Sequence, residues 1–235
     1  MEPYNDFLAK VNNFEKEQLK LGDGYFHANP RLFQKVRRDG KFTDFFGDRI
    51  AFRLDYKTIK RLSEITDALY SAAPECFAER LRPDSFHMTL HDLSSSYRLS
   101  DIAERMFFNE LEVAKLSEDI ISTGFAMKSN YIFNMLNTGI VCGLVPADEE
   151  EYKSLMSYYY HFDDIVYLPY DYGFIPHITL AYYNLNGFDR ASAKKLEDAV
   201  TKLNKNSFKL ELYTNELYYQ KFTGMNSYTN IMRIT

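Results

Sequence analysis

The 235-residue sequence lacks several features that define common classes of protein. It has no tryptophan and only two cysteines, Cys76 and Cys142, which provide neither a disulfide framework nor a zinc-binding pattern. Its start has no basic region followed by a long apolar stretch, and nowhere do about 20 apolar residues run together. These absences argue against secretion and membrane insertion, and we expect a cytoplasmic protein with no membrane partner.

An excess of positive charge is also missing. The formal net charge is −5, which argues against broad, salt-dependent binding to long duplex nucleic acids. The sequence contains no glycine-rich phosphate loop and no low-complexity tract either. A phosphate group would therefore have to be bound by a few local side chains. Lys35, Arg37 and Arg38 form a compact basic cluster, which we interpret as charged surface.

The most informative feature present is a pair of His-x-Thr motifs, His87-Met88-Thr89 and His177-Ile178-Thr179. Each motif lies in a run typical of a β-strand, where successive side chains point to opposite faces. The histidine and threonine of each copy therefore share one face, and their apolar neighbours share the other. The chain has only five histidines, so two copies by chance have odds on the order of a few per cent.

The motifs belong to an internal repeat of architecture. A strand-like run and a helical pattern precede each motif, and a helical stretch and a pair of strand-like runs follow it. His87 follows Ile50 by 37 residues and His177 follows Ile140 by the same 37, so the two halves are offset by 90 residues. If equivalent strands of two lobes face each other, both motifs meet in one central cleft.

Residues 1–47 precede the repeat. Phe7 and Val11 belong to a helical apolar pattern, which predicts an N-terminal helical extension that packs on the core. With 46% hydrophobic residues, the remainder of the chain can bury a sizeable core. We expect residues 48–235 to form a two-lobed domain, with strand exchange as an option between halves at about 48–136 and 137–235.

Both motifs fit the pattern H-x-[ST]-hydrophobic in full, as His87-Met88-Thr89-Leu90 and His177-Ile178-Thr179-Leu180. In this the sequence resembles the 2H phosphoesterase superfamily, which is named for two such motifs. The resemblance implies an α+β fold of two lobes related by a pseudo-twofold repeat, with antiparallel sheets facing a central cleft and helices outside. It also implies metal-independent chemistry on phosphodiesters such as 2′,3′-cyclic phosphates or 2′-5′-linked nucleotides. Asp39-Gly40, Phe46-Gly47 and residues 85–89 look like a poorly characterised microbial subfamily that carries a similar N-terminal segment.

Two histidines suit the chemistry on physical grounds as well. Cleavage of a phosphodiester needs a base that removes one proton and an acid that delivers another to the leaving oxygen. His87 and His177 can share these roles, because the ordinary pKa of histidine is near neutrality. Thr89 and Thr179 can donate hydrogen bonds to the non-bridging phosphate oxygens. The residues do not indicate which histidine is the acid.

Three further residues are candidate substrate contacts. Arg53 shares a strand face with Ala51 and either reaches the cleft or forms a surface ion pair; the repeat aligns it with Gly143. Tyr183 continues the alternation from His177 and either stacks on a base or packs in the core.

The third candidate is His91, which follows His87 by four residues and would share its face on a continuous strand. The two histidines would then form a possible pair of metal ligands. No suitably spaced cysteine or carboxylate cluster completes such a site, so we predict no metal and no cofactor.

Three classes of function follow from these patterns. The first is a metal-independent phosphodiesterase, similar to cyclic phosphodiesterases and 2′-5′ RNA ligase-like hydrolases of RNA processing, which acts on a small nucleotide or an RNA end. The second is a module that binds such a ligand without turnover. The third is a metal-dependent hydrolase that uses His87 and His91. The physiological substrate and the oligomeric state are left open.

Overall fold

The structure is a computed structural model that describes residues 1–14, 19–118, 120–163 and 173–235. In these ranges the helices are α1 (Tyr4–Asn13), α2 (Tyr56–Ala72), α3 (Ala103–Ser117), α4 (Glu149–His161) and α5 (Arg190–Leu203). The strands are β1 (Leu21–Gly22), β2 (Tyr25–Phe26), β3 (Phe46–Arg53), β4 (His87–Ser96), β5 (Gly124–Met135), β6 (Gly139–Pro146), β7 (His177–Tyr182), β8 (Phe188–Asp189), β9 (Lys209–Tyr213), β10 (Leu217–Gly224) and β11 (Ser227–Arg233). None of the described helices is long and apolar enough to cross a membrane.

The strands form three antiparallel sheets, and the predicted α+β class is confirmed. One four-stranded sheet has the order β4-β3-β10-β11, and the other has the order β7-β6-β5-β9. A small third sheet has the order β1-β2-β8. The two motif-bearing strands, β4 and β7, are edge strands of their sheets and lie against each other. Both histidines therefore start neighbouring strands.

Each four-stranded sheet contains strands that are far apart in the sequence. Strand β5 precedes β6 in the sequence but completes the sheet that holds the second motif, whereas β10 and β11 return from the C-terminal end to the sheet of the first motif. A division into lobes at residue 136 therefore does not follow the sheets. The buried apolar side chains of both sheets and of α1 also join one continuous core.

Helix α2 illustrates how the sequence builds each half. Its first turn is capped by Asp55, whose side chain accepts a hydrogen bond from the backbone N–H of Thr58 at 2.6 Å. Leu62, Ile65 and Leu69 recur at helical spacing and are buried. The helix thereby covers the apolar side of the sheets and leads the chain from β3 to the first motif.

The segment before β3 packs mainly on the sheet of the second motif. In α1, Phe7 is buried and its ring lies 4.8 Å from that of Tyr152 in α4. Further along, Phe26 packs on Phe188 with ring centroids 4.4 Å apart, within the small sheet. The segment then crosses to the cleft at Lys35 and enters β3 at Phe46.

Candidate active site

A β-bulge in the first motif decides which side chains of β4 face the cleft. Ile50 pairs with His91 whereas its neighbour Ala51 pairs with Thr89, so Leu90 is an extra residue on β4. His87 and Thr89 share the half-exposed face, as predicted. Beyond the bulge the alternation is inverted, and Asp92, not His91, takes up that face.

The prediction that His91 shares the face of His87 is therefore wrong. His91 is buried on the opposite side, where its ring stacks on Tyr159 at 4.1 Å and its Nε2 lies 2.7 Å from the Tyr159 carbonyl oxygen. The bulge separates the two imidazoles onto different faces of the sheet. His87 and His91 cannot act as a pair of ligands on one metal ion, and His91 is not a substrate contact.

The second motif carries the same bulge at the equivalent residue. Ile140 pairs with Ala181 whereas Val141 pairs with Thr179, which leaves Leu180 as the extra residue. His177 and Thr179 again share the half-exposed face, and Tyr182 follows them beyond the bulge. Tyr182 lies 90 residues after Asp92, so the two halves match in backbone geometry even where their side chains differ.

The bulge also overturns the prediction for Tyr183. Its side chain is fully buried on the far face, where its hydroxyl donates to Asn134 Oδ1 at 3.1 Å and its ring packs on Phe26 at 4.8 Å. Tyr183 is a core residue. Tyr182 takes the place beside His177 and Thr179 that the uninterrupted alternation had assigned to Tyr183.

Strand β3 adds two arginines to the same face. Arg53 pairs with His87 and Arg49 pairs with Asp92, and Ala51 lies between them opposite Thr89. Arg53 is 53% exposed and its Nη1 lies 3.7 Å from Glu216 Oε2. Arg49, in contrast, is only 6% exposed. The alternation that identified Arg53 in the sequence also places Arg49, four residues earlier, on the same strand face.

The two catalytic candidates are held in the same way by their own backbone. His87 Nδ1 lies 2.6 Å from the carbonyl oxygen of Ser85, and His177 Nδ1 lies 2.7 Å from that of Ile175. Because a carbonyl oxygen only accepts, Nδ1 must carry hydrogen in both rings. No described residue forms a hydrogen bond with either Nε2. Each Nε2 is therefore available to accept a proton when the ring is neutral and to donate one when it is charged.

The two imidazoles differ in their electrostatic surroundings. Burial lowers the pKa of His87 well below its ordinary value, and the positive charge of Arg49 lowers it further. Burial also lowers the pKa of His177, but the hydrogen bond to Ile175 and the negative charge of Asp92 oppose this effect. A positive charge on His177 also lowers the pKa of His87, so the two rings lie within electrostatic reach of each other. His87 thus favours the neutral form more strongly than His177 does.

The structure also brings Lys35 to this site, although the sequence suggested that it was charged surface. Its Nζ lies 5.5 Å from the ring centre of Tyr182 and 5.0 Å from that of Phe45. Burial lowers the pKa of Lys35, the charge of Asp92 raises it and that of Arg49 lowers it. The local sequence does not distinguish Lys35 from Arg37, which forms an exposed ion pair with Asp39. The position of Lys35 at the site is therefore visible only in the tertiary structure.

A cavity of about 70 Å³ opens beside His87 and is lined by Arg49, Arg53, Ser85 and Tyr228, among others. A larger cavity of about 500 Å³ lies between α5 and the β7-β6-β5-β9 sheet, and none of the motif residues lines it. Of the four motif residues, only His87 lines the smaller cavity, where it lies beside the buried Arg49. Among the described residues, no group of three or more His, Cys, Asp or Glu side chains is placed to hold a metal ion.

Comparisons with known proteins support the fold. No protein-family model matches the sequence, and no curated protein matches it. The conserved protein of unknown function ATU0111 from Agrobacterium tumefaciens strain C58 has a similar structure, with 15% identity, a TM-score of 0.68 and coverage of 96% of this chain and 99% of that one. E. coli LigT, in its complex with 3′-AMP, is 17% identical with a TM-score of 0.50, and the match covers 80% of this chain and 97% of LigT. The chain thus has a LigT-like fold, consistent with the superfamily that its motifs resemble.

Proposed function

We propose that the protein is a phosphodiesterase that needs no metal ion and uses two histidines as acid and base. The observation that carries the proposal is the matched presentation of His87 and His177. Both start neighbouring edge strands, both donate Nδ1–H to a carbonyl two residues earlier, and both leave Nε2 available in the cleft. Two such groups on either side of a phosphorus atom can transfer both protons of a hydrolysis.

The surroundings of the two rings support one assignment of their roles. His87, beside Arg49, is the general base: its neutral Nε2 takes a proton from the attacking water. His177, beside Asp92, is the general acid: its Nε2–H protonates the leaving oxygen as the phosphorus–oxygen bond breaks. One water is consumed, and proton exchange with solvent returns both rings to their starting states. Thr89 and Thr179, on the same two faces, donate to the non-bridging oxygens.

The substrate class follows from the size and charge of the site. LigT, which shares the fold, has been determined in complex with 3′-AMP. The cavity beside His87 is small, and the chain has a net negative charge, which disfavours a long polyanion. We therefore propose a small nucleotide or an RNA end with a 2′,3′-cyclic phosphate or a 2′-5′ linkage as the substrate. Arg53, at the rim of the same cavity, remains a proposed substrate contact.

The proposal is tested by incubating the protein with 2′,3′-cyclic nucleotides, 2′-5′ and 3′-5′ dinucleotides and cyclic dinucleotides. Products are separated by chromatography, and the His87→Ala variant serves as the control. Hydrolysis of at least one class by the wild type, and not by the variant, supports the proposal. Tight binding across the panel without turnover would instead indicate a nucleotide-binding module.

Activity is expected to survive exhaustive chelation. The two imidazoles carry the proton transfers, and the hydroxyls and basic side chains stabilise the phosphate charge, so the proposed mechanism requires no metal. The measurement compares initial rates before and after dialysis against EDTA. Loss of activity that a divalent ion restores would contradict the proposed mechanism.

The pH profile of kcat/KM is expected to be bell-shaped, and Asp92→Asn is expected to shift its alkaline limb to lower pH. Asp92 raises the pKa of His177, so its removal makes the acid lose its proton at a lower pH. Because Asp92 is exposed, the shift should be below about one pH unit and should shrink at high salt. Asp101→Asn, an exposed carboxylate that pairs with Arg98, is the matched control. A shift of the acid limb alone would reverse the proposed roles.

A further inference from the structure

Arg49 is fixed by contacts from two strands, although no carboxylate among the described residues forms an ion pair with it. Its Nε donates to Gln220 Oε1 at 3.1 Å, and Gln220 Nε2 in turn donates to Asn230 Oδ1 at 2.7 Å. Its guanidinium carbon lies 4.1 Å from the ring centre of Tyr228, which corresponds to stacking. Two neighbouring strands thus fix the plane of the guanidinium group.

One nitrogen of the Arg49 guanidinium group has no hydrogen-bond partner among the described residues. Arg49 Nη2 is buried and forms no hydrogen bond within the part of the chain that the structure describes, and no carboxylate there lies within 4.0 Å of the side chain. A buried donor without an acceptor costs about 1–3 kcal/mol, and more when it is charged. Arg49 and His87 both line the cavity described above, so an anion bound there would supply the acceptor that Nη2 lacks.

A second cation comes from the N-terminal segment and lies against Tyr182, which follows His177 and Thr179 on their strand face. Lys35 is held over the rings of Phe45 and Tyr182, and its ammonium group makes no hydrogen bond or ion pair with any described residue. The charges of Arg49 and Lys35 each influence a catalytic candidate, and Arg49 also lowers the pKa of Lys35. Asp92, which is exposed, is the carboxylate that acts on both cations.

We propose that Arg49 binds a non-bridging phosphate oxygen through Nη2, and that Lys35, supplied by the N-terminal segment, completes this anion site. This assignment rests on the proposed function and specifies how the substrate is recognised. In formal charges, Arg49, Lys35 and Asp92 sum to +1, which matches a phosphodiester monoanion. A protonated His177 adds one more positive charge, which matches the extra negative charge that develops on the non-bridging oxygens during attack. The N-terminal segment is accordingly part of the site and not only a support for the core.

The test measures binding of inorganic phosphate by calorimetry at constant ionic strength, together with kcat/KM on the substrate found in the panel. Arg49→Gln should raise the Kd for phosphate at least about 10-fold and lower kcat/KM by roughly 100-fold, as for the loss of a donor to developing charge. Lys35→Met should produce a smaller loss in both. Arg233→Gln is the matched control, since Arg233 stacks on Tyr218 of the same sheet but is exposed and lies outside the cavity. It should change neither quantity by more than about 2-fold.

Two further measurements separate this role from a structural one. Arg49 lowers the pKa of His87, so Arg49→Gln should raise that pKa in an NMR titration, and phosphate should raise it in the wild type. Gln220→Leu keeps the charge but removes the anchor of Nε, and should weaken phosphate binding without abolishing the effect of Arg49 on His87. If Arg49→Gln does not fold, the wild-type phosphate titration and the Gln220 variant decide the matter.

The outcomes distinguish the two proposals. Unchanged phosphate affinity and an unchanged His87 pKa in Arg49→Gln, or no effect of phosphate on wild-type His87, would overturn the anion site. If the histidine variants abolish turnover under those conditions, the proposed function still stands. If phosphate binding depends on Arg49 but no phosphodiester in the panel is hydrolysed, the anion site stands and the proposed function fails.

Discussion

His87→Ala and His177→Ala are each expected to lower kcat/KM by roughly 10²- to 10⁴-fold, the usual contribution of a positioned acid or base. Each replacement removes the Nε2 that transfers one proton, and the remaining ring cannot supply both transfers in one step. The losses in kcat/KM should not be additive in the double variant, because the reaction needs both proton transfers and removal of one already prevents the concerted mechanism. Steady-state kinetics on the identified substrate gives the measurement.

Thr89→Ala and Thr179→Ala serve as graded controls for the histidine variants. Each removes a neutral donor whose loss neighbouring donors can partly replace, so each should cost about 10-fold or somewhat more. Every variant must keep a cooperative melting transition for its kinetics to count. Near wild-type turnover by either histidine variant would show that the two-histidine mechanism is wrong.

Asp48→Ala is expected to lower the free energy of unfolding by about 3 kcal/mol or more. Asp48 is fully buried next to Arg49 in β3, and its carboxylate accepts hydrogen bonds from Ser94, from Asn109 at 2.9 Å and from the hydroxyl of Tyr219 at 2.8 Å. Removal of the carboxylate leaves three donors with one fewer acceptor, at about 1–3 kcal/mol for each donor that becomes unsatisfied. Urea denaturation provides the measurement.

Asp67→Ala is the matched control for this prediction. Asp67 is also an aspartate, but its partner is the cation Arg80 and both side chains are at least half exposed. Exposed pairs contribute about 0–1 kcal/mol, so this variant should unfold close to the wild type. Equal stability losses for Asp48→Ala and Asp67→Ala would refute the view that the buried carboxylate ties β3 to β4, β10 and α3.

In the two motif strands, the alternation of side chains predicts some of the cleft-facing residues correctly and others wrongly. The pairs His87 and Thr89, and His177 and Thr179, each share a face as expected, because two residues of a regular strand always do. The prediction failed at the next step along each strand. An extra residue, Leu90 or Leu180, inverts the alternation there, and a bulge of this kind leaves no signal in the order of apolar and polar residues.

The strand order shows a second limit. The sequence patterns predict a pair of strand-like runs after each motif. The second pair corresponds to β9 and β10, whereas the first is a single strand, β5. The patterns do not indicate that β5 pairs with β6 and β9 while β10 pairs with β3. Pairing between strands far apart in sequence depends on which faces can be buried together, and this is a property of the assembled sheets.

The sequence by itself determined the equivalence of the two halves and the two histidine–threonine pairs, because each depends on short-range periodicity of 2 or 3.6 residues. The α+β class followed from the resemblance of the two motifs to a known superfamily. Tertiary structure alone decided that His91 and Tyr183 face away from the cleft, that Asp92 and Tyr182 replace them, and that Lys35 reaches the site from the N-terminal segment. It also buried Arg49 with one nitrogen that has no hydrogen-bond partner in the described part of the chain. The physical reason is that bulges, burial and unpaired donors arise from contacts between distant segments, which no local pattern encodes.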